Sequence, residues 1–264
     1  MILQADPALN IGSGDLITFP LGPSRDSNPH QTIQYRDELF VPDRVGHSAA
    51  RKSKDAIFTL SGLQDGDTIW RLTKADGHWS IKGEIKQNPG SGPRHAVVRD
   101  DLIFTLHEKD NTLTAQRIPP LGSTNTSSPL SAVSIVPEDR PFMPARLAAA
   151  ELLYPELSPS SNFTQPYLYA SNRNVGTALD ARGDTIAIIS VDSNGILKLV
   201  NHVFTGLVNI RGMGLGGPDN RYLVASGMTQ FGGVVVFERT EGGAKLVEVA
   251  RNTQVPNLAT FVWL

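Results

Sequence analysis

The sequence contains no cysteine. This absence excludes disulfide bonds, thiolate nucleophiles and thiolate metal ligands, and it is compatible with either a reducing or an oxidising compartment. An excess of one charge is also lacking, because 24 lysines and arginines face 26 aspartates and glutamates and the formal net charge is −2. Binding to a nucleic-acid backbone needs a basic surface. We therefore expect no nucleic-acid partner.

Long hydrophobic runs are lacking as well. Apolar stretches such as Val234–Phe237 have the length of strands. They are far below the roughly 20 residues of a membrane-spanning helix, so no membrane partner is expected. The opening residues 1–7 show neither the basic nor the apolar region of a signal peptide, and we expect a cytoplasmic protein. Secretion is an alternative, because Asn125–Ser127 and Asn162–Thr164 match the glycosylation acceptor pattern.

Turn residues, in contrast, are frequent. The 24 glycines and 18 prolines separate short runs of β-branched and aromatic residues that are too short for helices. With 40% hydrophobic and 19% charged residues, the chain can bury a large core. These features predict an all-β protein with a single domain, residues 1–264.

One unit recurs along the chain: a strand that opens with Asp or Asn, then Thr, then Ile or Leu, followed by a turn and a further strand. Clear copies begin at Asp67, Asn111 and Asp184, and Gly233–Phe237 is a looser copy. The spacing is 44 residues from Asp67 to Asn111 and 48 from Asp184 to Gly232. A four-stranded propeller blade has about 40–50 residues. The repeat therefore favours a β-propeller over a β-sandwich with chance similarity.

The chain is too short for a closed ring of seven such blades. Residues 1–25 are predicted to be part of one blade, followed by about four blades and a last strand at Leu258–Leu264. A seven-bladed ring would need about two further blades at the N-terminal end. Because each blade covers its neighbour, open blade faces would make self-association possible. Residues 44–62 break the repeat, and we interpret them as an insertion.

The segment Gly90–His95, which reads Gly-Ser-Gly-Pro-Arg-His, resembles the seven-bladed β-propeller lactonases. This family includes 6-phosphogluconolactonase and the fungal 3-carboxy-cis,cis-muconate lactonizing enzyme. Leu102–Glu108 resembles the strand that carries the family's glutamate, Asn28–Gln31 its Pro-His element, and Tyr167–Asn174 part of the next blade. The similarity covers nearly the whole chain except the insertion. It implies a seven-bladed β-propeller, of which this chain would be an N-terminally truncated part.

The resemblance implies a catalytic group of His30, Arg94, Glu108 and Arg173. In lactone chemistry, negative charge builds on an oxygen and is stabilised by fixed positive donors. The guanidinium of arginine binds a carboxylate or phosphate through two hydrogen bonds, so Arg94 and Arg173 are expected to hold a small anionic substrate. Glu108 and His30 are expected to transfer protons. Without the resemblance, Arg94 after Gly-Pro is typical of a surface ion pair. Glu108 is then typical of a strand end and His30 of a turn.

Three further residues are candidate substrate contacts: His95, Glu151 and Arg211. For Glu151 and Arg211, an ion pair between blades is an equal alternative. No metal site is expected, because His107 and Glu108 are adjacent in a strand and point to opposite faces. No cofactor is expected either, since the glycine-rich run Gly212–Gly217 leads into a turn rather than a helix.

The leading functional hypothesis is a hydrolase of the 6-phosphogluconolactonase type. One alternative is the muconate-type cycloisomerase, in which a carboxylate adds across a double bond and no water is consumed. Both reactions need an anion clamp and an acid–base pair, so the sequence does not separate them. A second alternative is a propeller without catalysis, either an interaction platform or an inactive truncated product.

Overall fold

The computed structural model describes residues 17–19, 25–44, 46–47, 67–123, 128–139, 146–157, 162–227, 233–255 and 260–261. These residues form antiparallel strands and two single turns of 3-10 helix, Pro218–Asn220 and Glu241–Gly243. The all-β prediction is confirmed. In this part of the chain, no helix has the length and hydropathy needed to cross a membrane.

Most strands belong to four sheets of four strands each, which we call blades 1 to 4. A separate short ribbon pairs β1 (Arg25–Asp26) with β4 (Gly46–His47). Blade 1 contains β2 (Ile33–Tyr35), β3 (Glu38–Asp43), β5 (Thr68–Ala75) and β6 (His78–Lys86). Blade 2 contains β7 (Pro93–Arg99), β8 (Leu102–His107), β9 (Thr112–Arg117) and β10 (Ser131–Ser134).

Blades 3 and 4 repeat this plan. Blade 3 contains β11 (Leu147–Leu153), β12 (Tyr167–Asn174), β13 (Thr185–Val191) and β14 (Leu197–Phe204). Blade 4 contains β15 (Ile210–Gly216), β16 (Tyr222–Gly227), β17 (Gly233–Thr240) and β18 (Lys245–Asn252). In every blade the spatial order of the four strands follows the chain, which is the blade topology of a β-propeller.

Apolar clusters between neighbouring blades form the core. Phe40 and Ile69 of blade 1 pack with Ile103 of blade 2. Blades 2 and 3 share a cluster that includes Phe104 and Leu168, and a third cluster joins blades 3 and 4. Full burial of such a side chain contributes about 1.5–3 kcal/mol relative to exposure. The blades are therefore stabilised mainly by one another.

The residue that opens each copy of the repeat ties its blade to the next one. Asp67 Oδ2 accepts a hydrogen bond from the Gly92 N–H at 2.9 Å, directly before β7. Asn111 Nδ2 donates to the Leu147 carbonyl oxygen at 3.0 Å, where β11 begins. Asp184 accepts from the N–H of Asn209 at 2.6 Å, directly before β15. The repeat that predicted the blades thus marks the start of each third strand and a contact between blades.

The predicted boundary segments are only partly described. The register of blade 1 places Asp43 of β3 opposite Thr68 of β5, so residues 44–67 link two neighbouring strand ends. Apart from Arg44, Gly46–His47 and Asp67, that link lies outside the described residues. Most of the predicted partial blade 1–25 and of the last strand 258–264 lies outside them too. The division into partial blade and insertion stays a prediction.

Candidate active site

The first strands of blades 2, 3 and 4 each contain a β-bulge that falls on a candidate site residue. The register shifts lie at Arg94 in β7, at Ala150–Glu151 in β11 and at Arg211 in β15. A bulge adds a residue without a ladder partner, bends the strand and redirects a side chain. Since β7 contacts β11 and β11 contacts β15, the three bulges follow one another from blade to blade.

Glu108 immediately follows β8 and is fixed by the glycine-rich loop before β7. Its N–H donates to the Gly92 carbonyl oxygen at 2.7 Å. The Lys109 N–H donates to the Ser91 carbonyl oxygen at 2.9 Å. Gly92 has a φ of 69°, and a Cβ at this position would lie 2.9 Å from Lys109 Cγ. Glycine is needed here for both reasons. The motif Gly90–His95 thereby brings Glu108 next to β7.

The Glu108 carboxylate lies among three arginines, which we call the arginine cluster: Arg44, Arg94 and Arg173. Oε1 is 2.5 Å from Arg44 Nη1 and 2.7 Å from Arg173 Nη2, and Oε2 is 2.9 Å from Arg94 Nη1. Burial alone would raise the pKa of Glu108, but the three guanidinium charges outweigh it and hold this pKa below its usual value. Glu108 is therefore ionised at neutral pH.

A second carboxyl group, that of Glu151, lies on the other side of Arg94. Arg94 Nε donates to the Ala150 carbonyl oxygen at 2.9 Å, and Arg94 Nη2 is 3.9 Å from Glu151 Oε1. The Glu151 side chain is 15% exposed. Burial raises its pKa to about 7, although the nearby arginines oppose this shift. At neutral pH Glu151 is thus partly protonated, whereas Glu108 is not.

Two histidines adjoin these carboxyl groups. His30 precedes β2, and its N–H donates to the Pro42 carbonyl oxygen at 3.1 Å. The rings of His30 and His95 lie 5.3 Å apart between centroids, and His95 Nε2 is 3.7 Å from Glu151 Oε1. Burial is the larger cause, and the positive charge of Arg94 the second, that lowers the pKa of His30 to about 4 and the pKa of His95 to about 3. Both imidazoles are therefore neutral at pH 7.

Two buried polar atoms of the site have no hydrogen-bond partner in the part of the chain that is described: Arg173 Nε and His30 Nδ1. An unpaired buried polar atom costs free energy. The site therefore contains buried polar groups whose hydrogen-bonding capacity the described residues leave unsatisfied.

The structure brings together six of the seven predicted site residues: His30, Arg94, His95, Glu108, Glu151 and Arg173. The seventh, Arg211, is exposed in β15 and makes no hydrogen bond or ion pair to the described residues. Its charge is nevertheless among those that act on Glu151. His107 points elsewhere, since its Nε2 lies 3.0 Å from Thr114 Oγ1 of the same blade.

Arg44 is the residue of the site that the sequence did not single out. It directly follows β3, at the first position of the predicted insertion, and its side chain is 30% exposed. Its N–H donates to the Asn28 carbonyl oxygen at 3.3 Å, next to the bridge between Pro29 and Asp43. This position beside the Pro-His element was the one signal that could have identified it.

The described residues contain no group of three or more His, Asp or Glu side chains arranged to hold a metal ion.

A comparison with models of protein families identifies the fold family. The family described as Lactonase, 7-bladed beta-propeller matches residues 54–263. The chain belongs to this lactonase family. The matched range includes every candidate site residue except His30 and Arg44. A search of curated protein sequences finds no match.

Solved structures of similar fold come from several bacteria. A protein from Lactobacillus plantarum aligns with a TM-score of 0.63 and 21% identity, over 89% of this lactonase-family chain and 57% of its own. A candidate 6-phosphogluconolactonase of Bacteroides fragilis aligns with a TM-score of 0.56 and 22% identity, over 84% of this chain and 54% of its own. The periplasmic gluconolactonase of Pseudomonas aeruginosa aligns with a TM-score of 0.55 and 15% identity, over 85% of this chain and 54% of its own. The chain thus spans a little more than half the length of these structures.

Proposed function

We propose that this chain hydrolyses a sugar lactone that carries an anionic group such as a phosphate. The observation that carries the proposal is the charge of the site. Three guanidinium groups of the arginine cluster surround a single ionised carboxylate, that of Glu108. The surplus positive charge lies in a largely buried site, where it attracts an anion more strongly than it would in water.

Arg173 is the best-placed donor to the substrate. Arg94 is 4% exposed and already donates to Glu108 and to the Ala150 carbonyl oxygen. Arg173, in contrast, has a buried Nε that no described residue pairs with. A guanidinium in this position stabilises the negative charge that develops on the carbonyl oxygen when water attacks the lactone. Arg94 contributes charge and holds the Glu108 carboxylate in position.

His30 supplies a base for the attacking water. Its imidazole is neutral at pH 7 because burial lowers its pKa to about 4. A neutral imidazole has one unprotonated ring nitrogen, which can accept a proton from water. Glu108, which the sequence also suggested for proton transfer, has both oxygens in ion pairs. These contacts support a role in positioning the arginines.

The similar structures support a sugar lactone as the substrate class. One is named a gluconolactonase and one a candidate 6-phosphogluconolactonase. Hydrolysis of such a lactone needs the parts described above: an anion clamp, stabilisation of an oxyanion and a neutral base.

The test is turnover of δ-6-phosphogluconolactone by the purified chain, followed by acid release and compared with uncatalysed hydrolysis. Arg173→Lys keeps the charge but loses the planar fork, and we expect kcat/KM to fall about 100-fold. Arg117→Lys is the matched control, because Arg117 is exposed in β9 and pairs with Asp101. No acceleration by the wild-type chain contradicts the proposal. Turnover of 3-carboxy-cis,cis-muconate instead, seen as a loss of ultraviolet absorbance, would indicate the cycloisomerase.

A further inference from the structure

Ring opening of a lactone leaves an alkoxide, and a site that opens the ring therefore needs a proton donor for the ring oxygen. Glu108 is unsuited to this step. Its Oε1 is in contact with Arg44 and Arg173 and its Oε2 with Arg94, so that the carboxylate is kept ionised. His30 and His95 are neutral at pH 7, and His30 is already assigned as the base. The donor must be another group.

Glu151 has the geometry of such a donor. Its carboxyl group makes no hydrogen bond to the described residues, and its nearest charged or titratable neighbours are His95 Nε2 at 3.7 Å and Arg94 Nη2 at 3.9 Å. Its backbone is held, because its N–H donates to Ser171 Oγ at 3.0 Å. The bulge in β11 falls on Ala150–Glu151, and the carbonyl oxygen of Ala150 accepts a hydrogen bond from Arg94. The backbone of Glu151 is thus fixed beside the arginine cluster, and its carboxyl group is free to contact a substrate.

The groups that face Glu151 come from three strands. They are Arg94 and His95 of β7, Arg173 of β12 and Arg211 of β15. Three of these are cations that favour the ionised form of Glu151, yet burial prevails and raises its pKa to about 7. A bound anionic substrate would neutralise part of this positive charge. Its binding would therefore favour the protonated form further.

We propose that Glu151 is the general acid that protonates the ring oxygen of the lactone as the ring opens. The proposal rests on the proposed lactone hydrolysis. Water adds to the carbonyl carbon and gives one proton to His30. The bond between that carbon and the ring oxygen breaks, its electron pair stays on the ring oxygen, and this oxygen takes the proton of Glu151. His30 then releases its proton and Glu151 takes one up from solvent, which restores both groups. The new carboxylic acid ionises at neutral pH, so that lactone and water become a hydroxy carboxylate and a proton.

The pH dependence of kcat/KM tests this role. The base must be neutral and the acid protonated, so activity should rise with pH as His30 loses its proton near pH 4 and fall as Glu151 loses its proton near pH 7. In Glu151→Gln the fall above pH 7 should disappear, and the maximal rate should be about 100-fold lower. Glu151→Asp, which retains a carboxyl group, should keep the fall above neutral pH.

Glu248→Gln is the matched control, because Glu248 is on the outer strand β18 and pairs with Arg251. Thermal unfolding of each variant shows whether the chain still folds. Turnover that is lost in Arg173→Lys but unchanged in Glu151→Gln overturns the role of Glu151 and leaves the hydrolysis standing. The role of Glu151 is also overturned, and the hydrolysis left standing, if Glu151→Gln is slow but its kcat/KM still falls above pH 7. No turnover by the wild-type chain overturns both proposals together.

Discussion

Glu108 is the residue around which the site is organised. Its carboxylate accepts from guanidinium groups of blade 3, of blade 2 and of the segment after β3. Removing the charge leaves three buried or half-buried cations without their common partner. Glu108→Gln should therefore lower the free energy of unfolding by about 1–3 kcal/mol. It should also weaken substrate binding, because the arginines lose the partner that positions them, although the net positive charge of the site rises. Chemical denaturation and the KM for the lactone measure the two effects.

The pH profile separates this positioning role from proton transfer. If Glu108 only positions the arginines, Glu108→Gln should keep both limbs of the wild-type profile. A lost limb with an unchanged free energy of unfolding would contradict the account and restore the role that the sequence suggested. The sequence named Glu108 through its strand Leu102–Glu108, but it could not reveal the role. The three arginines lie far apart in the chain and meet only when the blades pack.

At the scale of elements, the residue that opens each third strand joins neighbouring blades. Asp184 is 5% exposed and accepts hydrogen bonds from the N–H groups of Asn174, Asn209 and Ile210. Asp184→Ala leaves these donors unpaired, and we expect a loss of about 3 kcal/mol of unfolding free energy. Asp192→Ala in an exposed turn of the same blade, where Asp192 accepts from Asn194 and Ile196, should cost less than about 1 kcal/mol. Equal losses would contradict this role.

The same elements show how far the sequence could predict the fold and the site. The spacing of Asp67, Asn111 and Asp184 predicted the blades, because their contacts with the next blade require one such residue in each repeat. The bulges at Arg94, Glu151 and Arg211 were not predictable, since a bulge depends on the register between two strands and not on one strand alone. Without the bulges, alternation along β7 would have put Arg94 and His95 on opposite faces.

At the scale of the whole molecule, the described blades form an open arc in which extensive contacts join blade 1 to 2, 2 to 3 and 3 to 4. The free face of blade 1 is covered in part by Ile17 and Phe19, which pack near Trp70. In blade 4, the buried residues of β17 alternate with half-buried ones such as Val236. By the residues that the structure describes, one face of this blade is therefore less covered than the other.

This uneven cover predicts self-association of the chain. Val234 and Val236 of β17 lie on the less covered face, and Val247 of β18 is opposite Glu238 on that same face. Light scattering over a range of protein concentrations should give a mass above that of one chain. Val236→Glu should shift it toward the monomer, because a charge on an apolar contact face opposes burial. A monomer at all concentrations would contradict the prediction.

The central claim is that the arginine cluster binds an anionic lactone for hydrolysis. Its most direct test is to measure kcat/KM for δ-6-phosphogluconolactone and for unphosphorylated δ-gluconolactone and to compare the two as a ratio. The account predicts a ratio well above one in the wild-type chain. Arg44→Gln should lower it about tenfold, equivalent to about 1.4 kcal/mol of binding to the phosphate. Arg117→Lys should leave it unchanged. A ratio near one, or a ratio that Arg44→Gln does not alter, would contradict the assignment of the cluster.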